Sequence, residues 1–185
     1  PLRRGPRRHF APRPRPFASR KDVKLLVQEA LRRDLIADAR VYIVLFSFMF
    51  RARDELFPLQ RDGRSSAEPH SHVVVASNRV EVFLCHRKNA PRGDSVSREC
   101  VCSRSSLCGS CALAALVAAH RGRDRDPRSP LLGPAWLSGA ERRLKDLCVA
   151  AGISPLSWHG FRRGGASEML KSGHTLAQIL VAGGW

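Results

Sequence analysis

The run from about Ala37 to Phe50 constrains this chain more than any other stretch. It is apolar on nearly every side, so a helix built from it offers water no face and belongs at the centre of a domain. Partners for it are spread along the rest of the sequence. Ser19 and Asp22 form an S-x-x-D capping box, and Val23, Leu26, Val27 and Ala30 follow at helical spacing. His72–Ala76 and Arg79–Cys85 read as two strands joined at Ser77-Asn78, with Val80, Val82 and Leu84 on one face. A third short strand is expected from Ser95 to Cys102, and an Ala/Leu helix from Ala112 to Ala119. Ser138-Gly139-Ala140-Glu141 reads as a second capping box. It precedes a helix with Leu144, Leu147, Cys148 and Ala151 on its apolar face and Gly152 at its end. A further helix opens near His159 and stops at Gly173. Thr175–Gln178 caps a last short one, closed by Gly183-Gly184. The expected class is mainly α with a small antiparallel β-sheet.

The 185 residues allow one domain with a real core and a tail. Pro1–Pro16 is rich in arginine and proline, holds no acid and cannot build a core. The expected division is therefore 1–18 as a basic arm or linker and 19–185 as the folded domain. Lys and Arg number 32 against 16 Asp and Glu, a net charge of +16. A polyanion is the natural partner, with nucleic acid the first choice. Membrane spanning is not expected, since the longest apolar run, Val41–Phe50, is too short to cross a bilayer. No apolar stretch of the secretory kind opens the chain, so the six cysteines are read in a reducing setting, where they need not form disulfides.

Four places carry residues suited to chemistry. The central helix runs into Arg51, Arg53, Asp54 and Glu55, and charges at the edge of a core need partners. Either Arg51 and Glu55 form a structural salt bridge, or one arginine is held by the core and aimed at a ligand. The basic turn His86–Asp94 holds Lys88 at its tip, where a lysine can reach outward. His159 and Arg162 lie one helical turn apart, an imidazole and a planar fork donor suited to phosphate, and Gly164-Gly165 would let a backbone approach a ligand closely. Cys100, Cys102, Cys108 and Cys111 could converge on a tetrahedral structural zinc, or remain free thiols. Cys85 and Cys148 look like core residues.

Taken together, these pieces resemble the catalytic domain of tyrosine recombinases, the phage-type integrases, over about Ser19 to Trp185. Phe50-Arg51 with Glu55-Leu56 and Pro58-Leu59 is similar to the first arginine box; Arg87-Lys88-Asn89 to the lysine hairpin; and His159-x-x-Arg162 with Gly183-Gly184-Trp185 to the second box. Pro58 and the cysteine-rich segment behind the hairpin favour the branch found in eukaryotic mobile elements. In the commoner pattern the first arginine lies three residues before the glutamate. Here Ala52 takes that place, and Arg51, directly after the apolar run, is preferred over Arg53.

The resemblance implies site-specific DNA recombination or integration through a covalent 3′-phosphotyrosyl intermediate, with no cofactor for catalysis. Arg51 and Arg162 would clamp the non-bridging oxygens, His159 would donate a hydrogen bond, Lys88 would protonate the leaving oxygen, and Trp185 would pack and donate its indole N–H. Arg163, Arg87 and Arg53 would contact DNA. Double-stranded DNA is the implied partner, bound by a homo-oligomer, in the nucleus or, outside eukaryotes, in the cytoplasm. The only tyrosine, Tyr42, lies in the central helix and should be core, and the sequence stops before the place of the nucleophile. The expectation is a piece of a longer protein, unable to cleave DNA alone. Two other readings are a non-catalytic DNA-binding remnant of a mobile element and a zinc-stabilised nucleic-acid-binding module.

Overall fold

The computed structural model describes residues 16–62, 70–87, 89–124 and 126–185. Most of the basic arm, and Lys88 at the hairpin tip, lie outside the described residues.

The central run forms α2 (Ile36–Phe48). Val41, Tyr42, Val44, Leu45 and Phe48 along it are fully buried. Around it pack α1 (Arg20–Arg32), α3 (Gly109–Arg123) and α6 (Trp158–Lys171). The helix α5 (Ala140–Ala150) lies against α1, preceded by the single turn α4 (Pro134–Leu137), and α7 (Leu176–Gly183) lies against α6. Strands β1 (His72–Val75), β2 (Arg79–Leu84) and β3 (Asp94–Glu99) make one antiparallel sheet in that order, with Val73 opposite Val82 and Val82 opposite Val96. Val73, Val80, Val82, Leu84 and Val96 are its buried apolar residues, and α3 packs against β2 and β3. The architecture is mainly α with one small sheet, as the sequence implied. No helix among the described residues is long and apolar enough to cross a membrane.

The α1 capping box forms as read: the Ser19 hydroxyl accepts from the Asp22 N–H (3.1 Å), and the Asp22 carboxylate accepts from the Ser19 N–H (2.9 Å). The box at Thr175 and Gln178 forms likewise. The one at Ser138 does not. Ser138 ends α4, its N–H donating to the Pro134 carbonyl (2.9 Å), and Gly139, at φ +93°, caps α5 without a side-chain bond. Nor does the third strand reach Cys102. It stops at Glu99, and a turn follows in which the Arg104 N–H bonds the Val101 carbonyl (2.9 Å). The helix beyond is longer than the Ala/Leu stretch suggested, because Cys108 caps it and its first turn includes Cys111.

One buried charge was not anticipated. Asp38, in the first turn of α2, accepts from Arg143 Nε (3.0 Å), Trp136 Nε1 (3.1 Å) and the Tyr42 hydroxyl (3.4 Å). This network joins α2 to α4 and α5, and it satisfies a carboxylate that would otherwise be costly inside the core.

Residues 16–18, assigned by the sequence to the arm, lie along α6. The Ala18 N–H bonds the Gly160 carbonyl (3.1 Å), and Phe17 sits beneath the Arg163 guanidinium, 5.6 Å from ring centroid to Cζ. Gly164 and Gly165 therefore serve packing rather than ligand approach. A Cβ on Gly164 would fall well inside contact distance of the Ala18 carbonyl oxygen, and one on Gly165 would meet the Phe46 carbonyl oxygen. Both obstacles are backbone and cannot rotate away. Gly164→Ala should cost about 3 kcal/mol and lower Tm by roughly 10 °C in thermal unfolding. Gly122→Ala, in α3 with open space at its Cβ, should hold or raise Tm.

Candidate functional site

The C-terminal end of α2 is where the site begins. Met49 takes a left-handed conformation at φ 55°, uncommon for a residue with a Cβ, and turns the chain sharply. The backbone then winds a π-helical turn over Ala52–Leu56. The Arg51 carbonyl accepts from the Glu55 N–H (2.8 Å), and the Ala52 carbonyl accepts from the Phe57 N–H (2.8 Å). Such wide turns concentrate at functional sites. This one folds the Glu55 side chain back over its own start, where one oxygen accepts the Arg51 N–H (2.8 Å).

Glu55 is 1% exposed, and three guanidinium groups from separate parts of the chain reach it. Arg51 NH1 lies 3.5 Å from Oε1, Arg87 Nε 3.2 Å from Oε1, and Arg162 NH1 3.7 Å from Oε2. Arg87 also pairs with Asp94. Three positive charges thus face two carboxylates, leaving one in excess. The ion-paired cluster is therefore cationic, although a buried carboxylate sits at its centre and Asp54 lines the cavity beside it.

Arg162 is 1% exposed. Its NH1 donates to the Met49 carbonyl, its NH2 donates to the Gly183 carbonyl (2.6 Å), and the Trp185 ring covers its face with the centroid 4.1 Å from Cζ. Burial, then the neighbouring Arg51 and Arg87 charges, pull its pKa down to about 10 against the opposing pull of Glu55, so the group is still charged at neutral pH. The Gly183 carbonyl accepts a second bond from Arg87 NH2 (2.7 Å), and Arg98 of β3 reaches the Ala182 carbonyl (3.5 Å) and the Ser47 carbonyl (3.2 Å). Guanidinium groups therefore gather at the negative end of α7, where orphan carbonyls and the helix dipole favour cations. Gly183 and Gly184 make this possible. A Cβ on the first would strike the Trp185 ring, and one on the second the Arg87 guanidinium; Gly184 also takes a left-handed φ of +65°.

The residues named from sequence fall into distinct settings. Arg51, Arg162 and Trp185 come together. His159 lies on the exposed side of the first turn of α6, while Arg162, one turn on, points inward. Lys88 lies outside the described residues, but its neighbour Arg87 is fixed in the cluster, and the Ala90 N–H closes the turn onto the Arg87 carbonyl (2.9 Å). Arg87 was expected to contact DNA. At 3% exposure, with Glu55, Asp94 and Gly183 as partners, it serves instead as an internal tie between the hairpin and α7. Arg53, the other candidate for the first box, points away and pairs with Glu141 of α5 (3.4 Å) on the surface. Arg163 is exposed above Phe17. A cavity of about 480 Å³ opens beside the cluster, lined by Arg51, Asp54, His86, Arg87 and Pro91.

Cys100, Cys102, Cys108 and Cys111 form a second constellation. Their sulfurs all lie within 4.8 Å of one another, so the four could hold a metal ion. Cys148 is buried and Cys85 half-buried, apart from this group.

No protein-family model and no curated protein matches the sequence. Solved structures do match the fold. The crystal structure of XerA recombinase superposes with a TM-score of 0.65 at 20% identity, covering 92% of this chain and 56% of that one. XerH site-specific recombinase bound to difH substrate, in a pre-cleavage complex, gives 0.63 at 11% identity, covering 91% and 47%. Its post-cleavage complex with a palindromic difH substrate gives 0.63 at 11%, covering 91% and 46%. The chain thus spans about half the length of these recombinases, and its fold is like that of a tyrosine recombinase catalytic domain.

Glu55 neutralises guanidinium groups of which two, Arg87 and Arg162, are almost wholly out of water. Glu55→Gln keeps the side-chain volume but removes the charge that Arg51, Arg87 and Arg162 share, and should cost about 3–5 kcal/mol in urea unfolding. A loss of under about 1 kcal/mol would mean that the arginines hold their places without it.

Proposed function

We propose that this chain is the phosphate-handling part of a site-specific DNA recombinase working through a 3′-phosphotyrosyl intermediate. The observation that carries the reading is the meeting of Arg51 and Arg162 at one carboxylate, roofed by Trp185, on a fold shared with recombinases. Two of those structures are complexes with a difH substrate, which supports DNA as the partner here.

In this reading the scissile phosphate settles beside Arg51, whose side chain is the more accessible of the two. Arg51 and Arg162 hold the non-bridging oxygens as charge builds on phosphorus in a partly dehydrated setting, where fixed cations count most. Glu55, Met49 and Gly183 hold the guanidinium groups in place beforehand, so little reorganisation is needed during reaction. His159, at the exposed start of α6, hydrogen-bonds the same phosphate from the DNA side. Lys88, following the anchored Arg87, protonates the leaving 5′ oxygen. Arg53 and Arg163, both on the surface, contact neighbouring phosphates. The ester stores the energy of the broken bond, so catalysis requires no cofactor, and the place for zinc is structural, at the four cysteines.

Tyr42 is unsuited to attack. It is fully buried and stacked on Phe161 at 5.4 Å, and burial, then the Asp38 carboxylate, push its phenol above the ordinary range. The nucleophilic tyrosine would come from outside these 185 residues. The same burial supports a second reading, a non-catalytic DNA-binding protein derived from a mobile element. In both readings the chain works as a homo-oligomer on DNA, in the nucleus of a eukaryotic host or, outside eukaryotes, in the cytoplasm.

A duplex nicked beside the cleaved phosphate separates the two readings. With the full-length gene product it should trap a protein–DNA adduct that survives denaturation, and Arg162→Ala should reduce that adduct on the order of a hundredfold or more. No adduct from full-length protein would favour the non-catalytic reading, and near-normal cleavage by Arg162→Ala would remove that residue from its role. Duplex binding by the chain itself should weaken steeply with salt, log K falling linearly with log salt concentration. A flat response would sink the phosphate-contact account.

A further inference from the structure

We propose that Cys100, Cys102, Cys108 and Cys111 bind one Zn²⁺ as four thiolates, and that the ion clamps the end of β3 to the start of α3. The sulfurs of Cys102 and Cys111 lie 3.2 Å apart, those of Cys100 and Cys111 3.5 Å, and those of Cys100 and Cys108 3.9 Å. Zinc–sulfur bonds of about 2.3 Å in a tetrahedron separate their thiolates by about 3.8 Å, so a small adjustment places an ion at the centre. A disulfide needs about 2.05 Å, far less than any of these separations.

The two halves of the site approach from opposite sides. Cys100 and Cys102 follow directly on β3, whereas Cys108 caps α3 and Cys111 lies in its first turn, three residues on and on the same helix face. The Val101 N–H donates to the Cys108 sulfur (3.3 Å), the kind of bond that relieves the negative charge on a metal-bound thiolate. The Ser110 hydroxyl, between the two helix cysteines, reaches the Arg98 (2.7 Å) and Glu99 (2.9 Å) carbonyls, so the strand and helix are already registered around the sulfurs.

Packing does not account for these cysteines. Free cysteine is among the most buried residue types, yet Cys100, Cys102 and Cys111 are exposed. A metal gives converging surface thiols a reason to be there. Zinc suits the site because it accepts four thiolates in a tetrahedron, and its binding would release the protons that the thiols carry.

The position gives the clamp a purpose. The sheet meets the helical body through the contact of β2 and β3 with α3 and through Arg98, and β2 leads straight into the turn that carries Arg87. Zinc at the β3–α3 junction fixes the sheet at the end opposite that turn, so the hairpin cannot pivot away from the Glu55 cluster.

Metal and thiol analysis of the chain purified under reducing conditions tests this independently of any DNA reaction. About one zinc per chain is expected, with the four thiols of the cluster unreactive until an organomercurial releases the metal. Co²⁺ titrated into the metal-stripped, unmutated protein should develop the intense visible bands of a tetrahedral tetrathiolate. Stripping zinc should lower Tm by roughly 10 °C, reversibly on zinc addition, and speed hydrogen exchange in Asp94–Glu99 and the first turn of α3 more than in α5. Cys102→Ser and Cys111→Ser should each lose most of the metal. Freely reactive Cys100, Cys102 and Cys111 in a metal-free protein whose Tm ignores zinc would overturn the proposal. So would iron in place of zinc, or a mass deficit reporting disulfides. Zinc bound with unchanged exchange in β3 would overturn the clamp.

Discussion

A single carboxylate holds this molecule's chemistry together. Buried guanidinium groups are expensive, and Arg87 and Arg162 are both almost wholly out of water. Glu55 makes their burial tolerable, and the backbone is shaped to deliver it. The left-handed turn at Met49 and the wide turn over Ala52–Leu56 aim the carboxylate at the arginines and leave the Met49 carbonyl for Arg162. Segments distant in sequence are thereby tied into one charged unit: the end of α2, the hairpin and α6. The arrangement places fixed positive charge in a dry setting with one edge, at Arg51, nearer to solvent.

The far side of that unit is the C-terminal end of α7. Arg87 and Arg162 share the Gly183 carbonyl, and Arg98 reaches Ala182. The helix end supplies partial negative charge that two glycines leave uncovered, so it acts as a further partner for the arginines. The sheet and α7 are linked through these bonds across the domain. The thiol cluster lies at the other end of β3, where it bears on the same sheet from the opposite direction.

Much of the fold was legible because its signals are local and periodic. The apolar run gave α2, alternation gave the strands, and the Ser19–Asp22 and Thr175–Gln178 boxes marked true helix starts. Ser138 misled because its spacing matches a capping box, while Gly139 in a left-handed conformation takes the cap position. The glycines after Arg162 suggested ligand approach, but helix packing uses the same absence of Cβ, and spacing does not distinguish the two. In the site, Arg51, Arg162 and Trp185 could be picked out through the family resemblance. Through the same resemblance Arg87 was expected to contact DNA. Its inward course depends on Asp94, Glu55 and Gly183, partners seven to ninety-six residues away that no local pattern joins. Asp38 was missed for the same reason, its main partners lying on α4 and α5.

Trp185 sits with its ring flat over a buried cation and one edge in solvent, 39% of its surface exposed. An indole so placed feels the field of the guanidinium beneath it. Its emission should therefore shift whenever that field is offset by an incoming anion. The molecule carries an intrinsic optical gauge of its own charge, its ring lying down where Gly183 has no Cβ to hold it off.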